Sequence, residues 1–215
     1  MEPNAGNNEI QWYETGMDVT YMFRTNPRGS PGGLPQPPPD QLFIMPQKKD
    51  GRWISAKLEG KEAYGCPDGK QLILQAELRV GNVSSDRQDG IWPAFWALGE
   101  SRNRGVEWPE CGEWDIMETS DGHDWSLASV HFGEMTNGKY SGNKKGLTSP
   151  QNKFKNTDFH TWTIKVDRRN SDWKKQTIQC MFVPILFAKI TCSQLPLQGS
   201  WMANSSTRSR AAMLI

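Results

Sequence analysis

The chain has 215 residues, 36% of them hydrophobic, and a formal net charge of +1. This length suffices for one domain with its own core. The basic residues are dispersed, so we expect neither nucleic acid nor an anionic membrane surface as a partner. No stretch is apolar for long enough to span a membrane, and residues 1–16 lack the basic start and apolar core of a secretory signal. These patterns leave the localisation open.

A stretch rich in Pro and Gly covers residues 26–40. Too few residues precede it to form a domain, so we interpret it as a long surface loop rather than a linker. Beyond it, partial alternation of apolar and polar residues predicts strands at 71–80, 127–132 and 161–166. Because no long amphipathic helix accompanies these strands, they favour an all-β fold of antiparallel sheets.

An aromatic segment at Ile91–Leu98 predicts another strand, and the chain contains ten tryptophans in all. A tryptophan face that lines a groove can stack on the apolar face of a sugar ring, while its N–H group finds a polar partner. Trp92, Trp96, Trp108 and Trp114 are therefore candidate sugar-binding residues. A plain core role is the alternative, and it competes most strongly for Trp92 and Phe95.

Three carboxylates stand among large apolar residues at Glu113–Glu118. In a strand, Glu113 and Asp115 share one face, while Glu118, at odd spacing, falls on the other. One extra residue at Ile116 or Met117 would form a β-bulge and turn Glu118 back toward the other two. A solvated acidic turn or a calcium loop is the alternative, but neither favours apolar residues at these positions. The pattern therefore predicts three converging acids.

Carboxylates about 5 Å apart repel each other, so one ionises normally while another keeps its proton toward neutral pH. Glycosidases that retain configuration use such a pair, ~5–5.5 Å apart, as nucleophile and acid/base. We therefore assign Glu113 as nucleophile and Glu118 as general acid and then general base. Asp115 is assigned as the group that orients Glu113 and discourages its protonation.

The four cysteines have no spacing that dictates a pairing, and no Cys–His cluster has the spacing of a zinc site. We therefore expect free, partly buried thiols. Neither a metal ion nor a cofactor is expected.

Two segments of the chain resemble glycoside hydrolase family 16, which includes laminarinases, lichenases and related endo-β-glucanases. They are Trp92–Trp96 and Glu113–Glu118, in the family's order and at a fitting distance. The resemblance extends over 7–13, 51–59, 129–133 and 159–164, and the sequence looks closest to fungal endo-β-1,3(4)-glucanase-like members. It implies a β-jelly-roll sandwich of two antiparallel sheets with a concave substrate cleft. The family's nucleophile, helper aspartate and acid/base correspond to Glu113, Asp115 and Glu118.

The resemblance further implies a retaining hydrolase of β-1,3- or mixed-linkage β-glucan, able to transfer the sugar to a hydroxyl group when that replaces water. We expect a monomer whose partner is the β-glucan polysaccharide. The family's usual location is extracellular or in the cell wall. The resemblance places His131 near the cleft, where it could bond a sugar hydroxyl or a carboxylate. A hydrogen-bonded histidine beside the core is an equally good interpretation.

Both ends of the chain depart from the family's pattern. The chain starts almost at the segment that an opening strand usually precedes, and Cys180–Ile185 replaces a turn that usually follows residue 179. Residues 200–215 show neither alternation nor the expected closing strand. We therefore expect a catalytic domain at 1–179 and a divergent, partly ordered segment at 180–215. The alternative function is a catalytically inactive glucan-binding or non-functional family member, because missing terminal strands would leave a sheet edge unpaired.

Overall fold

The computed structural model describes residues 10–14, 20–22, 42–81, 84–137, 139–148, 151–182, 185–191 and 209–214. The described residues form sixteen strands, β1 to β16, and three short 3-10 helices at Ser85–Arg87, Glu100–Arg104 and Trp173–Lys175. All but one of the strand pairs with a described register are antiparallel. The prediction of an all-β fold is confirmed. The Pro- and Gly-rich loop predicted at 26–40 lies outside the described residues.

The chain divides into two compact units, residues 1–58 with 214–215, and residues 59–213. The first unit contains β1 (Trp12–Tyr13), β2 (Thr20–Met22), β3 (Leu42–Ile44), β4 (Gln47–Lys49) and β5 (Arg52–Ser55). Strand β5 pairs with β1 in parallel and with β4 in antiparallel orientation, and β2 pairs with β3. A small core forms where Trp12 and Ile44 pack against buried Ile54 and Ala56. Strand β6 (Lys57–Glu59) crosses the boundary between the units.

The second unit contains two sheets. In one, β11 (Lys139–Thr148), β10 (Trp125–Thr136), β9 (Glu113–Glu118), β8 (Ala94–Gly99) and β16 (Ser209–Leu214) follow one another, and β12 (Asn152–Lys153) pairs with β10. In the other, the order is β15 (Ile185–Thr191), β14 (Thr177–Phe182), β13 (His160–Asp167) and β7 (Gln71–Leu78). Strands β7, β10 and β13 occupy the three segments predicted from alternation.

Side chains from both sheets enclose one hydrophobic core. The first sheet contributes Phe95, Trp114, Ile116, Val130 and Phe132, and the second contributes Trp162, Ile164, Val166, Ile178 and Cys180. These residues are nearly all inaccessible to solvent, and full burial of one large apolar side chain stabilises the fold by roughly 1.5–3 kcal/mol. The second unit is therefore a β-sandwich, and β9 is an interior strand of its first sheet.

The end of the chain differs from the sequence-based expectation. Residues 209–214 form β16 beside β8, although this segment lacks clear alternation. The prediction that 200–215 contains no closing strand was therefore wrong, because pairing with a neighbouring strand imposes extended backbone even on a weak pattern. Strand β14 crosses residue 179, and the division into 1–179 and 180–215 stays a prediction.

Arg168 joins three segments at one end of β13. Its guanidinium group donates to the carbonyl oxygen of Cys66 (2.6 Å), to the carboxylate of Asp68 and to the side-chain oxygen of Gln176 (3.3 Å). The backbone of Arg168 also exchanges hydrogen bonds with the same loop, since its N–H group donates to the carbonyl of Lys70 (3.0 Å). Because Arg168 is buried at 5% exposure, water does not readily replace these bonds.

Replacement of Arg168 by methionine is expected to lower the free energy of unfolding by about 2 kcal/mol, because a buried carbonyl and a buried amide lose their charged donor. Urea denaturation followed by tryptophan fluorescence measures the change. The matched control is Arg169→Met, which removes an exposed guanidinium that pairs with Asp167 and should change stability little. Equal losses in the two variants would contradict a structural role specific to Arg168.

Candidate active site

A β-bulge in β9 sets the geometry of the site. Against β8, Met117 pairs with Phe95 and Asp115 with Trp96, so Ile116 is an extra residue without its own partner position. The register against β10 shifts at the same place, between Leu127 and Ser129. The predicted bulge at Ile116 or Met117 is confirmed. Its apolar residues are buried, which anchors the bulge in the core while the acids before and after it face the same side.

The structure brings the three carboxylates and His131 into one cluster. A carboxylate oxygen of Glu113, a carboxylate oxygen of Asp115 and a ring nitrogen of His131 all lie within 4.8 Å of one another. The negative charges of Asp115 and Glu113 act on Glu118, as does the positive charge that His131 acquires on protonation. His131 reaches the acids because it lies directly opposite Glu113 in the pairing of β9 with β10. The cluster is thus built from two neighbouring strands.

Glu118 holds its proton to unusually high pH. Burial is the largest cause, and the charges of Asp115 and Glu113 add to it, so the pKa of Glu118 rises from 4.5 to about 8. His131 and a hydrogen bond from Trp92 act in the opposite direction. At neutral pH the Glu118 carboxyl is therefore protonated for most of the time, which is the state that a general acid requires.

Asp115 and His131 form a hydrogen-bonded pair. His131 Nε2 lies 2.9 Å from Asp115 Oδ2, and the Asp115 side chain is only 7% exposed. Burial raises the pKa of Asp115, and the bond to His131 opposes that rise. For His131, burial lowers the pKa, but the bond to Asp115 and the charges of the three carboxylates outweigh it and raise the pKa. A proton held by this pair reduces the negative charge beside Glu113 and Glu118.

Two tryptophan side chains donate hydrogen bonds to the outer carboxylates. Trp108 Nε1 donates to Glu113 Oε2 at 2.7 Å, and Trp92 Nε1 donates to Glu118 Oε1 at 3.1 Å. Trp108 also lies beside His131, with ring centroids 5.5 Å apart. Both indoles are about two-fifths exposed, 41% for Trp108 and 40% for Trp92. Each therefore offers ring surface to a ligand while its N–H group contacts a carboxylate.

The other two candidate tryptophans are buried, Trp96 at 9% and Trp114 at 8% exposure. Trp96 pairs directly with Asp115, so the two share the face of the sheet that carries the acids. Trp114 instead belongs to the hydrophobic core, because alternation sends it away from its neighbours Glu113 and Asp115. This position removes Trp114 from the candidate sugar platforms. A role in sugar binding stays a prediction for Trp92, Trp96, Trp108 and His131.

The turn that carries Trp108 packs closely against the end of β8. The Trp108–Pro109 peptide bond is cis, and the Gly99 N–H group donates to the Gly112 carbonyl at 2.9 Å. A Cβ atom on Gly99 would lie 1.7 Å from the carbonyl oxygen of Cys111. Only glycine fits this contact. No sequence pattern signals this contact, because it depends on two backbone segments that meet only in the folded chain.

The carboxylate oxygens of Glu113 and Asp115 and the ring nitrogen of His131 lie close enough together to be ligands of one cation. However, the hydrogen bonds within the Asp115–His131 and Trp108–Glu113 pairs already engage one of these atoms in each residue.

Elsewhere, Cys66, Cys111 and Cys180 are buried free thiols, in agreement with the sequence-based expectation for these three. In the part of the chain that the structure describes, no helix has the length and apolar character needed to cross a membrane.

Solved structures of two glycoside hydrolases share this architecture. The endo-1,3-β-glucanase of Streptomyces sioyaensis is 28% identical, with a TM-score of 0.69 over 80% of this chain and 63% of that chain. A glycoside hydrolase family 16 protein of Bacteroides ovatus, solved with a glucan product, shares the fold at 17% identity, with a TM-score of 0.65 over 100% of this chain and 77% of that chain. The resemblance to glycoside hydrolase family 16 seen in the sequence is therefore confirmed.

Curated relatives match only part of the chain, and no family model matches it. A keratan-sulfate endo-1,4-β-galactosidase of Sphingobacterium multivorum is 31% identical over 129 residues, which are 47% of this chain and 30% of the relative. A β-1,3-glucan-binding protein of Penaeus monodon is 28% identical over 108 residues, 43% of this chain and 25% of the relative. The chain thus spans less than a third of the length of either relative.

Proposed function

We propose that this chain hydrolyses internal bonds of β-1,3- or mixed-linkage β-glucan with retention of configuration at the anomeric carbon. One observation carries the proposal. On a single bulged strand, Glu118 keeps its proton up to a pKa of about 8, while Glu113 accepts a short hydrogen bond from the Trp108 N–H group. A retaining glycosidase needs this combination of a protonated acid and a carboxylate nucleophile.

In the first step, a Glu113 oxygen attacks the anomeric carbon and forms a covalent ester. Glu118 transfers its proton to the glycosidic oxygen, which leaves as the hydroxyl group of the departing sugar. The Asp115–His131 pair, hydrogen-bonded at 2.9 Å, lies beside Glu113 and orients it. The Trp108 N–H group holds one Glu113 oxygen, and the other oxygen is the one we assign to the attack.

In the second step, Glu118 is a carboxylate and takes a proton from water. The water oxygen attacks the anomeric carbon, the ester bond to Glu113 breaks, and the sugar leaves with its original configuration. The proton taken from water restores the acid form of Glu118. If a sugar hydroxyl group replaces water, the same sequence joins two sugars, so we propose transglycosylation as a secondary activity.

The names of the similar proteins support β-glucan as the substrate class. The Streptomyces sioyaensis structure is that of an endo-1,3-β-glucanase, and the Bacteroides ovatus protein was solved with a mixed-linkage glucan product. The keratan-sulfate relative makes a β-galactoside polymer the first alternative substrate. We propose that the chain acts on glucan as a monomer.

The test is release of reducing ends from four polymers by the full chain: β-1,3-glucan, mixed-linkage β-glucan, cellulose and keratan sulfate. We expect release from the first two, and proton NMR of the first product formed should show the β-anomer before mutarotation. Circular dichroism and gel filtration establish that the protein is folded and monomeric. Release of the α-anomer would overturn the retaining mechanism, and release from keratan sulfate alone would overturn the proposed substrate.

A β-glucan-binding role without hydrolysis is the second candidate, because one relative is a β-1,3-glucan-binding protein. The two functions separate in one experiment. Isothermal titration with a β-1,3-glucan oligosaccharide detects binding, and chromatography of the same sample detects cleavage. Binding without any cleavage by the folded protein would favour the binding role, whereas cleavage would favour the hydrolase.

A further inference from the structure

Trp92 donates a hydrogen bond to the acid cluster, as Trp108 does, but the two indoles contact different carboxyl groups. Trp108 donates to Glu113, a residue that the mechanism uses as an anion. Trp92 donates at 3.1 Å to Oε1 of Glu118, a residue that the mechanism uses in its protonated form. An indole N–H group is a donor only. A protonated carboxyl group has one carbonyl oxygen, which accepts, and one hydroxyl group, which donates.

We propose that Trp92 is a positioning residue that fixes the proton of Glu118 on Oε2, the oxygen that we assign to protonation of the glycosidic bond. Trp92 donates to Oε1, and the carbonyl oxygen of a carboxylic acid accepts a hydrogen bond better than its hydroxyl oxygen does, so Oε1 is the carbonyl oxygen in the favoured form of protonated Glu118. The hydroxyl group is then Oε2, so the proton leaves from and returns to one oxygen in both steps. This inference rests on the proposed function of Glu118 as general acid and base.

The backbone around Trp92 is fixed firmly enough for such a role. The Thr119 N–H group donates to the Pro93 carbonyl at 3.2 Å, and the Asp121 N–H group donates to the Ile91 carbonyl at 2.9 Å. The Gly90 N–H group donates to Asp121 Oδ1 at 2.8 Å. These bonds continue the pairing of β8 with β9 beyond both strands, so the segment carrying Trp92 and the segment after Glu118 are held side by side.

Burial of Glu118 makes the position of its proton important. The Glu118 carboxyl is partly desolvated, and desolvation is the main reason that it keeps its proton. A carboxyl group in water exchanges its proton freely between both oxygens, and half of the orientations would point away from the leaving group. A fixed donor at Oε1 disfavours the unproductive orientation before substrate arrives. Trp92 thereby acts through Glu118 rather than on the sugar.

The variant Trp92→Phe keeps an aromatic ring and removes only the N–H group. We expect kcat/KM on β-1,3-glucan to fall about tenfold, the usual effect of losing one hydrogen bond to a charged or reacting group. On a dinitrophenyl β-glucoside of a short β-1,3-glucan, whose leaving group departs without protonation, the first step should be unchanged. The alkaline limb of the pH profile should move to higher pH, because the bond from Trp92 lowers the pKa of Glu118.

The variant Trp108→Phe is the matched comparison, since it removes the N–H group that contacts Glu113. It should impair both substrates alike, because nucleophilic attack is needed whatever the leaving group. Equal losses for Trp92→Phe on both substrates, with an unmoved alkaline limb, would overturn the proposal and reduce Trp92 to a packing or sugar-stacking role.

A second measurement needs no turnover. Carbon-13 NMR titration of glutamate side-chain carboxyls, with Glu118 assigned through the Glu118→Gln variant, gives the pKa of Glu118 with and without the Trp92 N–H group. A higher value in Trp92→Phe supports the hydrogen bond even if the wild-type chain proves inactive on glucan. An unchanged value would overturn the positioning role, and a failure of the hydrolase proposal alone would appear as an inactive wild type.

Discussion

Replacement of Glu118 by alanine is expected to lower kcat on β-1,3-glucan by about 10⁴-fold, the upper range for loss of a general acid and base. The physical reason is its raised pKa of about 8, which keeps a proton available where the glycosidic oxygen must be protonated. On a dinitrophenyl glycoside, the first step should proceed almost normally and the second should become slow. Pre-steady-state kinetics should therefore show a burst of dinitrophenolate followed by slow turnover.

Rescue of the Glu118→Ala variant by sodium azide tests the role of Glu118 as general base. A small anion needs no general base, so azide should restore turnover of Glu118→Ala on the dinitrophenyl substrate and give a β-glycosyl azide. The control is Glu110→Ala, which removes an exposed carboxylate from the turn before β9 and should leave activity unchanged. Failure of azide to accelerate the folded variant, or formation of an α-azide, would contradict the assigned role of Glu118.

The same group makes two pH-dependent effects measurable. Activity of the wild type should decline as pH rises through about 8, because the acid form of Glu118 is lost. In the unfolded chain Glu118 ionises near its ordinary value of 4.5. The folded state thus binds the extra proton between pH 4.5 and 8, and its stability falls as pH rises over that range. Glu118→Gln should lack this fall and gain stability relative to wild type between pH 5 and 8.5.

The sequence predicts the site well where local geometry decides it. Alternation places Glu113 and Asp115 on one face, and their odd spacing from Glu118 demands an extra residue, which the structure supplies as a bulge at Ile116. The same alternation places Trp114 on the opposite face. Its candidacy as a sugar platform followed from residue type alone and neglected its neighbours, and the structure buries it in the core.

Other features of the site depend on contacts between distant segments. The bonds from Trp92 and Trp108 to the carboxylates require the docking of two loops whose paths a single sequence does not specify. The contact of Gly99 with Cys111 and the pairing of β16 with β8 have the same origin. Burial and neighbouring charge, rather than residue type, then determine which carboxyl keeps its proton.

Replacement of Glu113 by glutamine is expected to abolish hydrolysis, with kcat lowered on the order of 10⁴-fold or more on both glucan and the dinitrophenyl substrate. Unlike Glu118→Ala, this variant should show no burst and no rescue by azide in the β-configuration, because no covalent ester can form. The amide still offers an oxygen to the Trp108 N–H group, which lies 2.7 Å from the native carboxylate. Folding should therefore be preserved, and thermal unfolding followed by circular dichroism checks it.

Covalent trapping identifies the nucleophile directly. A 2-deoxy-2-fluoro dinitrophenyl glycoside slows both steps but retains a good leaving group, so the ester to the enzyme accumulates. Peptide mass spectrometry should place the sugar on Glu113 in the wild type and in the control Glu110→Gln, and on no residue in Glu113→Gln. Labelling of Asp115 or Glu118 would reassign the nucleophile. An unlabelled wild type that still hydrolyses glucan would mean that water attacks directly, which inverts configuration and requires Glu113 to act as a base.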